Sequence, residues 1–190
     1  MRIFPHLQSR RIRLRPAGAR DSIKLYELLL GLGLNTLPSP DDFVSAFGRG
    51  VTASFLVETP GGDFLGFCSL HGMSPAGHHV EGGIYMSPEN SANGVGAEAS
   101  LLMINYAFAM WNVRKVYFQT TEASLSAIGG DLKVSHKEGI LSGHQYFSGQ
   151  HWDVHVFAIY REEWDQFCAH AVERLVRDRP RAPAARHAPA

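Results

Sequence analysis

Cysteine is nearly absent from this sequence: Cys68 and Cys168 are the only two. That excludes a disulfide framework and a cysteine-based metal cluster, and both read as buried thiols. An excess of charge of either sign is also lacking, since 18 Lys and Arg balance 18 Asp and Glu. A nucleic-acid binder relying on a broad basic face is thereby excluded. No apolar run reaches membrane-spanning length, and Met1-Arg-Ile-Phe-Pro-His6 lacks a signal-peptide core. A cytoplasmic chain with no membrane partner is the expectation. Internal repeats are absent too. What is present is a 190-residue chain with 45% apolar residues, enough to bury one sizeable core.

The punctuation of the chain outlines a mixed α/β domain. Arg11-Ile-Arg-Leu-Arg15 alternates with period two and reads as a first strand closed by Pro16, its arginines on a solvated face. Asp21 is placed to cap a helix running to about Leu30, with Ile23, Tyr26, Leu29 and Leu30 on its apolar face. A shorter helix is expected after Pro40. Ala53 to Glu58 and Phe64 to His71 read as strands joined by the turn Pro60-Gly-Gly-Asp63. A further strand from about His79 to Met86 completes an antiparallel meander. Within it, Gly82-Gly83 predicts a bulge or a close backbone approach.

The centre of the sequence is Gly83 to Trp111. A short strand is stopped by Pro88, a polar loop follows, and a helix from Ala97 to Trp111 is apolar on nearly every face. Gly94 and Gly96 fall where that helix begins. First-turn amides lack intrahelical partners and carry the positive end of the helix dipole. Glycines there let a bulky anion approach, so the turn is suited to phosphate. Val113 to Thr121 should then run parallel to the strand ending at Met86. Ser124 to Leu132 has weak helical character, because Gly129 and Gly130 each cost on the order of 1 kcal/mol. His144 to Phe147 and Trp152 to Tyr160 read as a closing hairpin. Arg161 to Arg177 reads as an amphipathic helix with Trp164, Phe167, Cys168, Ala171 and Leu175 as its stripe. Residues 1–177 form the expected domain, and 178–190 a disordered Pro/Ala/Arg tail.

Taken in order, these segments resemble the GNAT acyltransferase family, in particular its ribosomal-protein N-acetyltransferase-like branch, from about Arg11 to Trp164. The segments that carry the likeness are the opening Arg-Leu-Arg-Pro and Gly66-Phe-Cys-Ser-Leu-His71. Gly83-Ile-Tyr-Met-Ser-Pro-Glu89, Gly94-Val-Gly-Ala-Glu-Ala99 and Arg161-Glu-Glu-Trp164 complete it. The resemblance implies a mixed sheet in which an antiparallel meander is followed by a parallel pair, splayed around an acyl-coenzyme A site and flanked by helices. It implies acetyl transfer from acetyl-coenzyme A, or another acyl-coenzyme A, to a primary amine of a small molecule or a protein N-terminus. No metal is called for, and a homodimer is left open. Ser91, Asn93, Gly94, Val95, Gly96 and Ala97 would meet the coenzyme pyrophosphate, and the backbone at Tyr85 and Met86 its pantetheine arm. Glu81 would act as base through water, and Ser124 or Ser126 would bind the sulfur region.

Departures from the family pattern are confined to a few positions. Ser91 stands where a Gln or Arg is usual, and Ser124 where an asparagine is usual. Leu132-Lys-Val134 replaces Leu-Gly-Phe, and the helix expected before it holds no tyrosine to protonate the departing thiol. Other readings follow from the same residues. A coenzyme-A-binding module without turnover fits the missing acid. Gly94-x-Gly96-x-x-Ala99 also satisfies a relaxed dinucleotide fingerprint of an oxidoreductase, although Pro88 to Asn93 intervene between strand and glycines. Cys68, His71, His78 and His79 match no standard metal spacing. His144, His151 and His155 fall on the hairpin that lines the acceptor cleft in this family.

Overall fold

The computed structural model describes residues 3–34, 36–121, 135–147 and 149–176. Among them, seven strands form one sheet in the order β1-β2-β3-β4-β5-β7-β6. They are β1 (Arg13–Pro16), β2 (Val51–Glu58), β3 (Phe64–Ser74), β4 (His79–Met86), β5 (Lys115–Thr121), β6 (Ser135–Phe147) and β7 (Gln150–Tyr160). Every neighbouring pair is antiparallel except β4 and β5. A sheet with one parallel step has no room for the alternating parallel units of a dinucleotide fold, which removes the oxidoreductase reading.

Helices cover both faces. On one lies α3 (Val95–Met110), whose Ala99, Leu102, Met103, Ile104 and Ala107 are fully buried against Leu14, Phe55, Cys68, Val80 and Val116. A helix this apolar on all sides requires neighbours beyond the sheet. Trp164, from the closing helical segments, supplies one by packing on Phe108 with ring centroids 5.9 Å apart. The Arg161 guanidinium donates to the carbonyls of Phe108 at 2.8 Å and Val113 at 2.7 Å, and so closes the C-terminal end of α3. The opposite face carries α1 (Ser22–Gly31) and α2 (Pro40–Ala46) over Leu56 and Phe67.

Several local expectations are corrected. The buried face of α1 is Ser22, Leu25, Leu28 and Leu29, while Ile23 and Leu30 are exposed. Asp21 does not cap α1 through its side chain. Its carboxylate accepts from the Gly18 amide at 2.9 Å and from Arg15 at 2.9 Å. Nor are the strand arginines merely solvated: Arg13 and Arg15 both pair with buried Glu58 on β2. The Gly82-Gly83 pair sits in regular register opposite Leu70 and Ser69, without a bulge. Its reason is close approach, since a Cβ on Gly82 would lie 2.8 Å from the Phe118 ring and 3.0 Å from Met103.

The hairpin is longer than expected, because β6 begins at Ser135. In the closing helical segments a π turn (Trp164–Cys168) shifts the register, so Val172 joins Trp164 in the core. The expected helix over Ser124 to Leu132, Leu132-Lys-Val134 and the tail from 178 lie outside the described residues.

Candidate acyl-transfer site

The site begins where the sheet opens. β4 and β5 pair only at His79↔Lys115, Val80↔Val116 and Glu81↔Tyr117, although β4 runs on to Met86 and β5 to Thr121. Beyond Glu81 each strand keeps its other neighbour, β3 or β7, but not its partner across the gap. Among the described residues, the backbone edge of Gly82 to Met86 that faces β5 therefore has no ladder partner, and an extended ligand could add to it as a strand does.

At the end of β4, Ser87 leads into a 3-10 turn (Pro88–Asn93) and then Gly94. Gly94 adopts φ 69°, ψ 6°, a left-handed conformation that glycine takes at least cost, and no atom lies near where its Cβ would stand. This turn aims the first-turn amides of α3 away from the helix, with buried Val95 and Gly96 and half-buried Ala97 following. Ser91 and Asn93 lie in the 3-10 turn immediately before Gly94, their side chains outside the described residues. Buried Glu98 in the same first turn pairs with Arg11 at 3.4 Å.

Strand alternation assigns the remaining residues to faces. Gly82 and Phe118 look toward Met103 of α3. Glu81, Gly83 and Tyr85 on β4, with Tyr117 and Gln119 on β5, therefore look to the opposite face. There a cavity of about 370 Å³ is lined by Glu81, His79, Tyr117, Gln119, Glu138 and Val156, among others. Glu81 sits across from His71 of β3, whose Nε2 is 3.6 Å from its carboxylate. Tyr85 shares this face, and burial, helped by the nearby Glu81 charge, pushes its hydroxyl's pKa up.

The second carboxylate, Glu138 of β6, and Lys115 of β5 are not among the residues that the sequence offers for the site, and Tyr117 enters there only within the Val116-Tyr117 segment of the family pattern. Lys115 Nζ donates to both Glu138 oxygens at 3.0 Å and to Tyr117 Oη at 2.7 Å. Tyr117 donates to Glu138 at 2.7 Å, and Tyr160 donates to its other oxygen. Burial raises the Glu138 carboxyl, but these donors outweigh it and hold its pKa at about 2. The period-two spacing of Lys115, Tyr117 and Gln119 was the available signal for a shared face; nothing local pointed to Glu138.

Other expected residues do not meet here. His151 and His144 are exposed, and buried His155 alternates with Val156 and so faces away from the cavity. Cys68 faces α3, whereas His71 is on the Glu81 side, so the two cannot share a metal. Ser124 lies outside the described residues.

An opened parallel pair, a helix N-terminus at its end and a carboxylate-lined cavity on the opposite face are the parts that an acyl-coenzyme A-dependent N-acyltransferase requires. Residues 35–126, just under half of the chain, match the sequence profile of the acetyltransferase (GNAT) domain. No curated protein matches in sequence. Among solved structures, a chimera of the spermidine N-acetyltransferase SpeG from Vibrio cholerae and hSSAT superposes with a TM-score of 0.74 at 18% identity. It covers 82% of this chain and 99% of that one. The Vibrio cholerae enzyme in complex with CoA and spermine gives 0.70 at 17%, covering 81% and 98%. Its dodecameric structure gives 0.72 at 17%, covering 81% and 96%. At such identity the likeness is one of fold. The profile match is to the GNAT domain and does not single out the ribosomal-protein N-acetyltransferase-like branch.

Proposed function

We propose that this chain transfers an acetyl group from acetyl-coenzyme A to a primary amine, of a small molecule or a protein N-terminus, by direct attack of the amine on the thioester. The observation that carries the proposal is the opening between β4 and β5 beyond Glu81, with α3 starting where it ends. In this reading the amides from Asn93 to Ala97, including those of Gly94, Val95 and Gly96, hold the pyrophosphate, with Ser91 close by. The β4 backbone at Tyr85 and Met86 pairs with the pantetheine arm. The structure of the similar Vibrio cholerae enzyme with CoA and spermine supports a fold of this kind receiving both an acyl carrier and an amine.

The chemistry asks little of the side chains. An acceptor arrives as an ammonium and must lose a proton before its nitrogen can attack. Glu81 takes that proton through water, its carboxylate being 30% exposed at the cavity wall. The new C–N bond replaces the C–S bond, and the departing sulfur takes up a proton, with Ser124 assigned to its surroundings.

The test is calorimetric titration of the purified chain with acetyl-coenzyme A, with NAD as control. Micromolar binding of acetyl-coenzyme A alone, followed by thiol release on adding amines, is the expected result. Binding without release would leave a coenzyme-A-binding module and overturn the catalytic reading.

A further inference from the structure

We propose that Lys115 sets the charge of the acceptor: by occupying Glu138 it leaves Glu81 as the single available carboxylate of the cavity among the described residues, so the site selects amines carrying one positive charge over polyamines. The inference rests on the acceptor reading of the cavity given above.

The argument is one of acceptor capacity. An ionised carboxylate offers about four lone-pair positions. On Glu138, one oxygen accepts from Lys115 and Tyr160 and the other from Lys115 and Tyr117. A second ammonium on a bound acceptor would have to displace one of these donors. It would also meet the Lys115 charge, which stands 3.0 Å from Glu138 and 5.0 Å from the centre of the Tyr117 ring. Glu81 differs. Among the described residues its nearest charged neighbour is His71, at 3.6 Å, beyond an ordinary hydrogen bond.

The charges lead to the same conclusion. Among the described residues, the ionisable carboxylates lining the cavity are Glu81 and Glu138, and Lys115 offsets one of them. One net negative charge remains to meet one ammonium, while His71 and His79 add positive charge only when protonated and so cannot favour a second. Both a simple alkylamine and the α-ammonium of a protein N-terminus meet this condition. Selectivity of this kind comes from an element that repels the wrong ligand as much as from one that attracts the right one.

The experiment measures acetyl-coenzyme A-dependent thiol release at about pH 8.5 with n-butylamine, 1,4-diaminobutane and spermidine. It uses the full chain and the variants Lys115→Met, Glu138→Gln and the double variant. Thermal melts and acetyl-coenzyme A titration of each protein verify that it is folded. In the unmodified chain, kcat/KM for butylamine is expected to exceed that for the diamine and spermidine by about tenfold or more. Lys115→Met, which frees Glu138, should shift the ratio toward the diamine by a similar factor. Adding Glu138→Gln should return it. Glu138→Gln alone, which leaves Lys115 uncompensated, should depress all three amines and the multiply charged ones most.

A preference of the unmodified chain for spermidine, or a ratio unmoved by Lys115→Met, would overturn the inference while leaving amine acetylation intact. No release with any amine, despite bound acetyl-coenzyme A, overturns both the inference and the catalytic reading.

Discussion

At the scale of single residues, the site turns on two carboxylates with opposite surroundings. Glu81 has room and an imidazole 3.6 Å away, whereas Glu138 is enclosed by an ammonium and two phenols. In the proposed reaction the first is the one that accepts a proton from an arriving amine. Glu81→Gln keeps the shape and removes the basicity, so kcat should fall by about 10²-fold or more while acetyl-coenzyme A affinity is retained. An unchanged rate in a thiol-release assay would remove Glu81 from the chemistry. Glu81 could be named from the sequence as a candidate, and the structure places it at the cavity wall. Glu138 could not, since its partners come from β5 and from the end of β7, positions that no local pattern links.

At the scale of elements, Gly82 stands at the point where β4 and β5 cease to pair. The missing Cβ lets the Phe118 ring of β5 and Met103 of α3 close over the β4 backbone just past the last paired residue. Gly82→Ala forces an atom to within 2.8 Å of that ring. The expected outcome is a loss of about 1–3 kcal/mol in denaturant unfolding, together with weakened acetyl-coenzyme A binding as β5 shifts. Wild-type stability and affinity in this variant would show that the ring is free to move. The glycine pair was visible as a signal for close approach. The identity of what approaches was not, because Phe118 lies across a helix and a strand crossover from it. Similarly, β6 was half missed. Most of its residues are exposed, so it lacks the alternation by which buried strands announce themselves.

Across the whole molecule, ion pairs join parts of the chain that are distant in sequence. Arg15 holds Asp21 below the usual carboxylate range. Burial pushes Glu58 up, but hydrogen bonds from Arg13 and Arg15 outweigh it and leave it lowered. Glu138 is held at about 2. A carboxylate with a depressed folded pKa contributes stability above its unfolded value, and loses it as pH falls through the folded one. Stability should therefore be level above about pH 5, then decline as pH drops below about 4, with the Glu138 share fading toward about 2. Denaturant midpoints measured across that range would test this, and a midpoint independent of pH would contradict it. The sequence by itself determined the order of elements, the long buried helix α3 and the glycine turn before it. Those features are written in local periodicity and in residues with particular backbone freedom. Only the tertiary structure decided which side chains face the cavity and which charges cancel there. Those depend on strand order and register, which bring Lys115, Glu138 and Tyr160 together from three strands that the sequence keeps apart.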